Sequence, residues 1–110
     1  MKMINLEELT GNGRVHNLSG RLRGLAARDL YKLDEFDQSA EDAEVVVPGY
    51  VYSLTPSFVQ GLFGESIRAS GNDLTAFRRR FRFVAPAIVL EQLERGLSAI
   101  MTNRDIASIR

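Results

Sequence analysis

The run AEVVVPGYVYSLTPSFVQGLFGESIRASGN, residues 43–72, decides the fold of this chain. Val45, Val46 and Val47 form a short unbroken β-branched run closed by Pro48-Gly49, the pattern of a strand buried on both faces. Val51 and Leu54 continue on the core side after an irregular step. Thr55-Pro56 then reads as a helix start. A threonine hydroxyl can accept from a first-turn amide, and proline at the first helical position gives up an N–H that has no partner there anyway. Phe58, Val59, Leu62, Phe63 and Ile67 make the buried stripe of that helix, and Gly61 and Gly64 allow close approach to a sheet. Ser70-Gly71-Asn72 ends it, with Gly71 suited to a left-handed cap.

Outward from this unit the same alternation of elements continues. Downstream, Arg80-Phe81-Arg82-Phe83-Val84 alternates as a half-buried strand does, with Arg78 and Arg79 immediately before it. Pro86 restarts the chain, and Val89, Leu90, Leu93, Leu97 and Ile100 describe another amphipathic helix; no element is predicted for residues 102–110. Upstream, Leu22, Leu25, Ala26, Leu30 and Leu33 repeat at helical spacing, which predicts a helix with these residues toward the core. Ser19 is its expected N-cap, and Arg21, Arg28 and Lys32 its water-facing side. The acidic stretch Asp34–Glu44 is expected to be a loop. Met3–Leu6 reads as a short strand, Gly11-Asn12-Gly13 as a turn, and Arg14–Leu18 as a second short strand. Helices alternating with buried strands predict one domain over residues 1–110, an α/β (α+β) sandwich with a small mixed sheet and about three helices packed on it.

Composition bounds the chemistry. The 110 residues are 45% hydrophobic and 25% charged, as expected of a globular domain, with no cysteine and one histidine, His16. Disulfides, thiolate catalysis and cysteine-type zinc or iron–sulfur sites are thereby excluded. His16 has no serine or carboxylate at a spacing that implies a catalytic partnership. The carboxylates of 34–44 lack the ordered alternation and central glycine of a calcium loop, and no phosphate-loop motif occurs. Gly61-Leu62-Phe63-Gly64 matches a GXXG clamp only superficially, because it lies inside a predicted helix without a basic flank. A non-enzymatic protein with no cofactor and no metal is expected. No apolar run is long enough to span a membrane and no signal-peptide core is present, so a cytoplasmic location without membrane contact is expected.

The fourteen basic and fourteen acidic side chains cancel, yet residues 1–55 carry a net −3 and residues 56–110 a net +3. The acidic run from Asp34 to Glu44 and the arginines Arg78, Arg79, Arg80 and Arg82 produce most of this split. The plain reading is two solvated segments that partly neutralise each other across the fold. A sharper one takes the arginines, interleaved with Phe77, Phe81 and Phe83, as a basic strand for nucleic acid or an acidic protein. The phenylalanines fall on the face that the core needs, which disfavours base stacking.

Tyr52-Ser53-Leu54-Thr55-Pro56-Ser57-Phe58, continuing Val59-Gln60-Gly61-Leu62-Phe63-Gly64, resembles the STAS-like family of small bacterial proteins, related to the STAS domains of anti-sigma factor antagonists and sulfate transporters. The similarity runs from about Gly20 to Arg104 and takes in Asn17-Leu18-Ser19-Gly20-Arg21 and Arg23-Gly24-Leu25-Ala26-Ala27-Arg28. It implies a regulatory protein-interaction module that docks through the strand-to-helix loop Tyr50–Phe58 onto a GHKL-type ATPase kinase. In that family a serine or threonine at this loop is phosphorylated to part the complex, since a phosphate adds nearly two negative charges at the interface. Here proline, Pro56, stands at the usual acceptor position, which leaves Ser53, Thr55 and Ser57 as the possible acceptors. Helix capping is the plainer role for Thr55 and Ser57. Tyr50 and Tyr52 suit a docking surface if exposed and helix packing if not. A homodimer through an edge strand is a further possibility.

Overall fold

The computed structural model describes residues 1–11, 13–39 and 41–109, with side chains placed through Thr102. Its central strand is the valine run. β1 (Lys2–Asn5), β3 (Ala43–Val46) and β5 (Phe81–Val84) form a three-stranded parallel sheet in the order β1-β3-β5, so the valine strand lies between the other two. A second parallel pair joins β2 (Asn17–Leu18) to β4 (Ser53–Leu54). Among the described residues five α-helices, α1 (Arg21–Leu30), α2 (Leu33–Asp37), α3 (Pro56–Ala69), α4 (Leu74–Arg80) and α5 (Ala87–Ile109), and a 3-10 turn at Leu6–Thr10 complete the fold. The predicted α/β class stands. All ladders among the described residues are parallel, and α5 continues through the tail for which the sequence predicts no element.

The sheet order explains the layering. Each step from β1 to β3 and from β3 to β5 moves the same way across the sheet, and right-handed crossovers then place both sets of linking helices on one face. Ile4, Val45 and Phe83 share a cross-strand row on that face and pack toward α3 and α5. The next rows, Met3–Glu44–Arg82 and Asn5–Val46–Val84, face the other way, and Met3 and Val84 are exposed. Phe63 of α3 meets Phe77, Phe81 and Phe83 edge-on at 5.4–5.5 Å between ring centroids, which ties the sheet to α3 and α4.

Helix α3 is built as its sequence predicts. Thr55 caps it, its hydroxyl accepting from Phe58 N, with Pro56 at the first position. Phe58, Val59, Leu62, Phe63 and Ile67 are buried. At the far end Gly71 has φ +76°, and the amide of Asn72 returns to Ile67 O at 3.0 Å. The purpose of Gly61 differs from the expectation. A Cβ there would lie 2.3 Å from Arg21 O, and one on Gly24 would lie 2.3 Å from Phe58 O. The two glycines therefore permit α1 and α3 to cross backbone against backbone; the close neighbour of Gly61 is a helix, not the sheet.

That crossing overturns the predicted orientation of α1. Its buried residues are Gly24, Ala27 and Arg28, continued by Tyr31, whereas Leu22 is 82% exposed, Leu30 53%, and Leu25 and Ala26 also face outward. Of the predicted stripe only Leu33 enters the core. Arg28, expected in water, is 4% exposed. No leucine fits where two backbones touch, so small residues take the contact and the leucines are displaced to the outside. Ser19 is not the cap; Gly20 occupies that position at φ +90° without a side-chain bond, and its amide donates to Thr55 Oγ1.

Three further expectations are corrected. The acidic segment is not wholly loop: Leu33 and Phe36 need burial and fold residues 33–37 into α2. Arg78, Arg79 and Arg80 belong to α4, capped by Asp73, so the basic run spans a helix end and a strand rather than one strand. The strand expected over 14–18 is only Asn17–Leu18, and it pairs in parallel with β4 instead of returning on β1. Gly11 and Gly13 take the positive φ of the predicted turn, with Asn12 outside the described residues.

The opposite charges do meet. Arg28 Nε donates to Asp34 at 2.8 Å, its Nη1 to Leu62 O and to Ser66 Oγ at 2.9 Å each, and its Nη2 to Asp37. Ser66 donates to the same Asp37 at 2.9 Å. The second Asp37 oxygen makes no hydrogen bond among the described residues and faces the Arg80 guanidinium at 3.7 Å. Arg80 also donates to Phe36 O and lies 4.9 Å over the Phe36 ring. Asp37 of the acidic run, Arg80 of the arginine run and Arg28 of α1 thus form a largely buried bridge that, with Ser66, joins α1, α2, α3 and α4.

Candidate functional site

The segment from Tyr50 to Phe58 lies where two strands become two helices. β2 leads into α1 and β4 into α3, and the ladder is extended by Tyr52 N to His16 O and by Thr55 N to Leu18 O, both 3.0 Å. The N-termini of α1 and α3 consequently sit side by side, pinned by Thr55 Oγ1, which accepts from Gly20 N at 3.2 Å and Phe58 N at 3.3 Å. From α5, Gln92 clamps β4, its carbonyl accepting from Leu54 N and its amide donating to Tyr52 O.

The expected contact residues divide on this frame. Tyr52 is 58% exposed and stacks on His16 at 5.8 Å with 15° between planes. Tyr50 is half-buried: its hydroxyl bonds Thr10 Oγ1 at 2.7 Å, and its carbonyl accepts from His16 Nδ1 at 2.9 Å. Because a carbonyl can only accept, the Nδ1 of His16 carries hydrogen and the ring is held flat beneath Tyr52. Ser53 is half-buried, Thr55 is committed to capping, and Ser57 is exposed with its hydroxyl 3.2 Å from Thr55 Oγ1. A shallow groove of about 230 Å³ runs beside them, between Ser53–Pro56 and the side chains of Gln92 and Arg95.

A second depression, about 380 Å³, opens against α1. Leu9, Leu18, Ala26, Leu30 and Phe58 line it, with Arg23 as its charged residue. The first turn of α1 holds Arg21 and Arg23 and no acid, and neither arginine makes an ion pair among the described residues. Helical spacing predicts Ala26 and Leu30 for the core, yet both are exposed. The signal for the true arrangement was present in Gly24 and Ala27 of α1 and Gly61 of α3, small residues that mark a tight helix crossing.

The basic run is dispersed by the fold. Arg78 pairs with Glu94 of α5, Arg80 is drawn into the Asp37 bridge, and Arg82 lies on the open sheet face in register with Glu44. Arg79 is exposed without an ion pair among the described residues. Phe77 and Phe81 are buried, so their rings are not offered to bases.

Burial, helped by the charge of Glu8, pushes the Tyr31 phenol up to about 12, and its hydroxyl donates to Asn5 O at 2.6 Å. Among the described residues no helix is long and apolar enough to cross a membrane, and no group of three or more acids and histidines is placed to hold a metal. Comparison with known protein families, with curated proteins and with solved structures gives no match to this chain.

Proposed function

We propose that this protein is a non-enzymatic regulatory docking module, resembling the STAS-like family, that binds a protein partner through the junction Tyr50–Phe58. The observation that carries the reading is the pairing of an exposed Tyr52–His16 stack with exposed Ser57 on a frame held by Thr55 and Gln92. A preformed amphipathic surface loses little conformational freedom on binding, and tyrosine is well suited to such contacts. The partner class is a GHKL-type ATPase, following the family resemblance, in a cytoplasmic setting.

Ser57 is the hydroxyl best placed for a regulatory phosphate. Pro56 has no N–H and the Phe58 amide is taken by Thr55, so the start of α3 has little left with which to satisfy added phosphate oxygens. A phosphate there adds charge in the middle of the docking surface, and loss of binding follows. The Arg78–Arg82 reading as a nucleic-acid surface has less behind it, since its arginines are dispersed and Phe77 and Phe81 are buried, with Phe83 half-buried.

Affinity capture from the source cell's extract, followed by mass spectrometry, tests the proposal. Wild type retaining an ATPase that Tyr52→Ala/Ser57→Asp fails to retain is the expected result. Retention of no ATPase, or equal retention by the double variant, overturns it.

A further inference from the structure

We infer that the groove along α1 is a second docking surface whose occupant is an amphipathic helix of a protein partner, with a leucine-type stripe on the groove and an acidic flank over Arg21 and Arg23. The inference rests on the docking reading above and names the partner chemistry of a surface that adjoins the junction.

Three observations carry it. Leu22, Leu25, Ala26 and Leu30 recur at helical spacing on the side of α1 opposite its crossing with α3, an apolar stripe turned to water. Ala26 and Leu30 of that stripe line a concave space of about 380 Å³ floored by Leu9, Leu18 and Phe58, room for bulky apolar side chains to enter. The charges are polarised along the helix: Arg21 and Arg23 make no ion pair among the described residues and stand at an N-terminus that lacks a side-chain cap, and exposed Asp29 lies toward the other end. The positive end of the helix dipole adds to the two arginines, so acidic side chains are favoured there.

The dimensions select a helix over a second copy of this chain. The ten residues of α1 are about 15 Å long and one helix about 10 Å wide. That strip matches one docked helix and falls far short of the roughly 800 Å² per partner of a stable dimer. Helix-in-groove recognition works at this scale, with anchors at i, i+3, i+4 and i+7.

The test uses two labelled peptides of about 15 residues, leucine at the stripe positions and either glutamate or lysine between them. Binding to the full chain is read by fluorescence anisotropy, and the site by amide shifts in NMR. The glutamate peptide is expected to bind at least about tenfold more tightly than the lysine peptide, more weakly as salt rises, with shifts along α1. Arg21→Glu/Arg23→Glu should reverse the preference, and Leu22→Ser/Leu30→Ser should weaken binding about tenfold while leaving the fold intact. Equal binding of both peptides, no binding at ~100 µM, or shifts confined to another surface overturns the inference. So does a concentration-dependent dimer in sedimentation that the serine variant returns to monomer. Tyr52→Ala should leave peptide binding unchanged, so failure here is separable from failure at the junction.

Discussion

Replacing Arg28 with alanine should be among the most damaging single changes this chain can suffer, although its sequence position looks like a solvated helix face. Arg28 is 4% exposed and donates to Asp34, Asp37, Ser66 and the carbonyl of Leu62. The Asp34 contact adds little, because that carboxylate is 72% exposed. Asp37 is the costly one: at 5% exposure it would be left with Ser66 at 2.9 Å and Arg80 at 3.7 Å. Breaking one side of a buried ion pair costs about 3–5 kcal/mol. With an unfolding entropy near 2.1 cal/mol/K per residue, ~4 kcal/mol lowers Tm by about 15–20 °C in a chain of this length. Urea unfolding followed by far-UV circular dichroism measures it without screening the charges. The triple variant Arg28→Met/Asp37→Leu/Ser66→Ala, which removes the buried acid, its cation and the hydroxyl between them, should recover to within about 1–2 kcal/mol of wild type. A loss under about 1 kcal/mol for Arg28→Ala, or a triple variant no better than the single one, would refute the reasoning.

Gly61→Ala gains about 1 kcal/mol of helix propensity but drives a Cβ to 2.3 Å from the rigid Arg21 carbonyl; net destabilisation of about 2 kcal/mol and separation of α1 from α3 are expected, seen in the urea midpoint and in exchange of α1 amides. Leu22→Ser and Leu30→Ser should each change stability by no more than about 0.5 kcal/mol, since both side chains already face water; a loss of core-leucine size in the same titration would mean that α1 is turned the other way. Tyr31 gives a pH dependence. Its phenol titrates near 12 in the fold against 10.0 in the unfolded chain, so above pH 10 the unfolded state releases its proton first and stability falls until about pH 12. Urea midpoints at rising pH should show this loss in wild type and less of it in Tyr31→Phe, while the difference between the two in absorbance near 295 nm follows the late ionisation of Tyr31.

Legibility in the sequence follows the range of the forces concerned. Thr55-Pro56 and Gly71 act within a few residues of themselves, and each is found doing what it predicts. The valine run forms the predicted strand but is buried on one face instead of two, with Val46 half-buried, because the linking helices cover one face of the sheet and leave the other open. Arg80 shows the opposite case. Its alternation with Phe81 and Phe83 suggests a strand, yet it ends α4, because Asp73 caps a helix that carries Phe77 into the aromatic cluster. The strand-to-helix junction within 50–58 was legible, but not the His16 stack beneath Tyr52 or the Gln92 clamp, which join residues 36 and 40 positions apart.

Helix α1 marks the division most sharply. Its sequence by itself determined that a helix forms there and that one side is apolar, since helical spacing alone sorts leucine from arginine. Which side would be buried depended on the neighbour. Periodicity measures a contrast between two faces and carries no sign for core or solvent; the sign comes from the shape of what packs against the helix. α3 offers backbone at Gly61, close enough that only glycine and alanine fit opposite it, and α2 a buried aspartate, Asp37, that draws Arg28 inward. The leucines were left outside by that contact, and the tertiary structure alone turned a predicted core stripe into a surface.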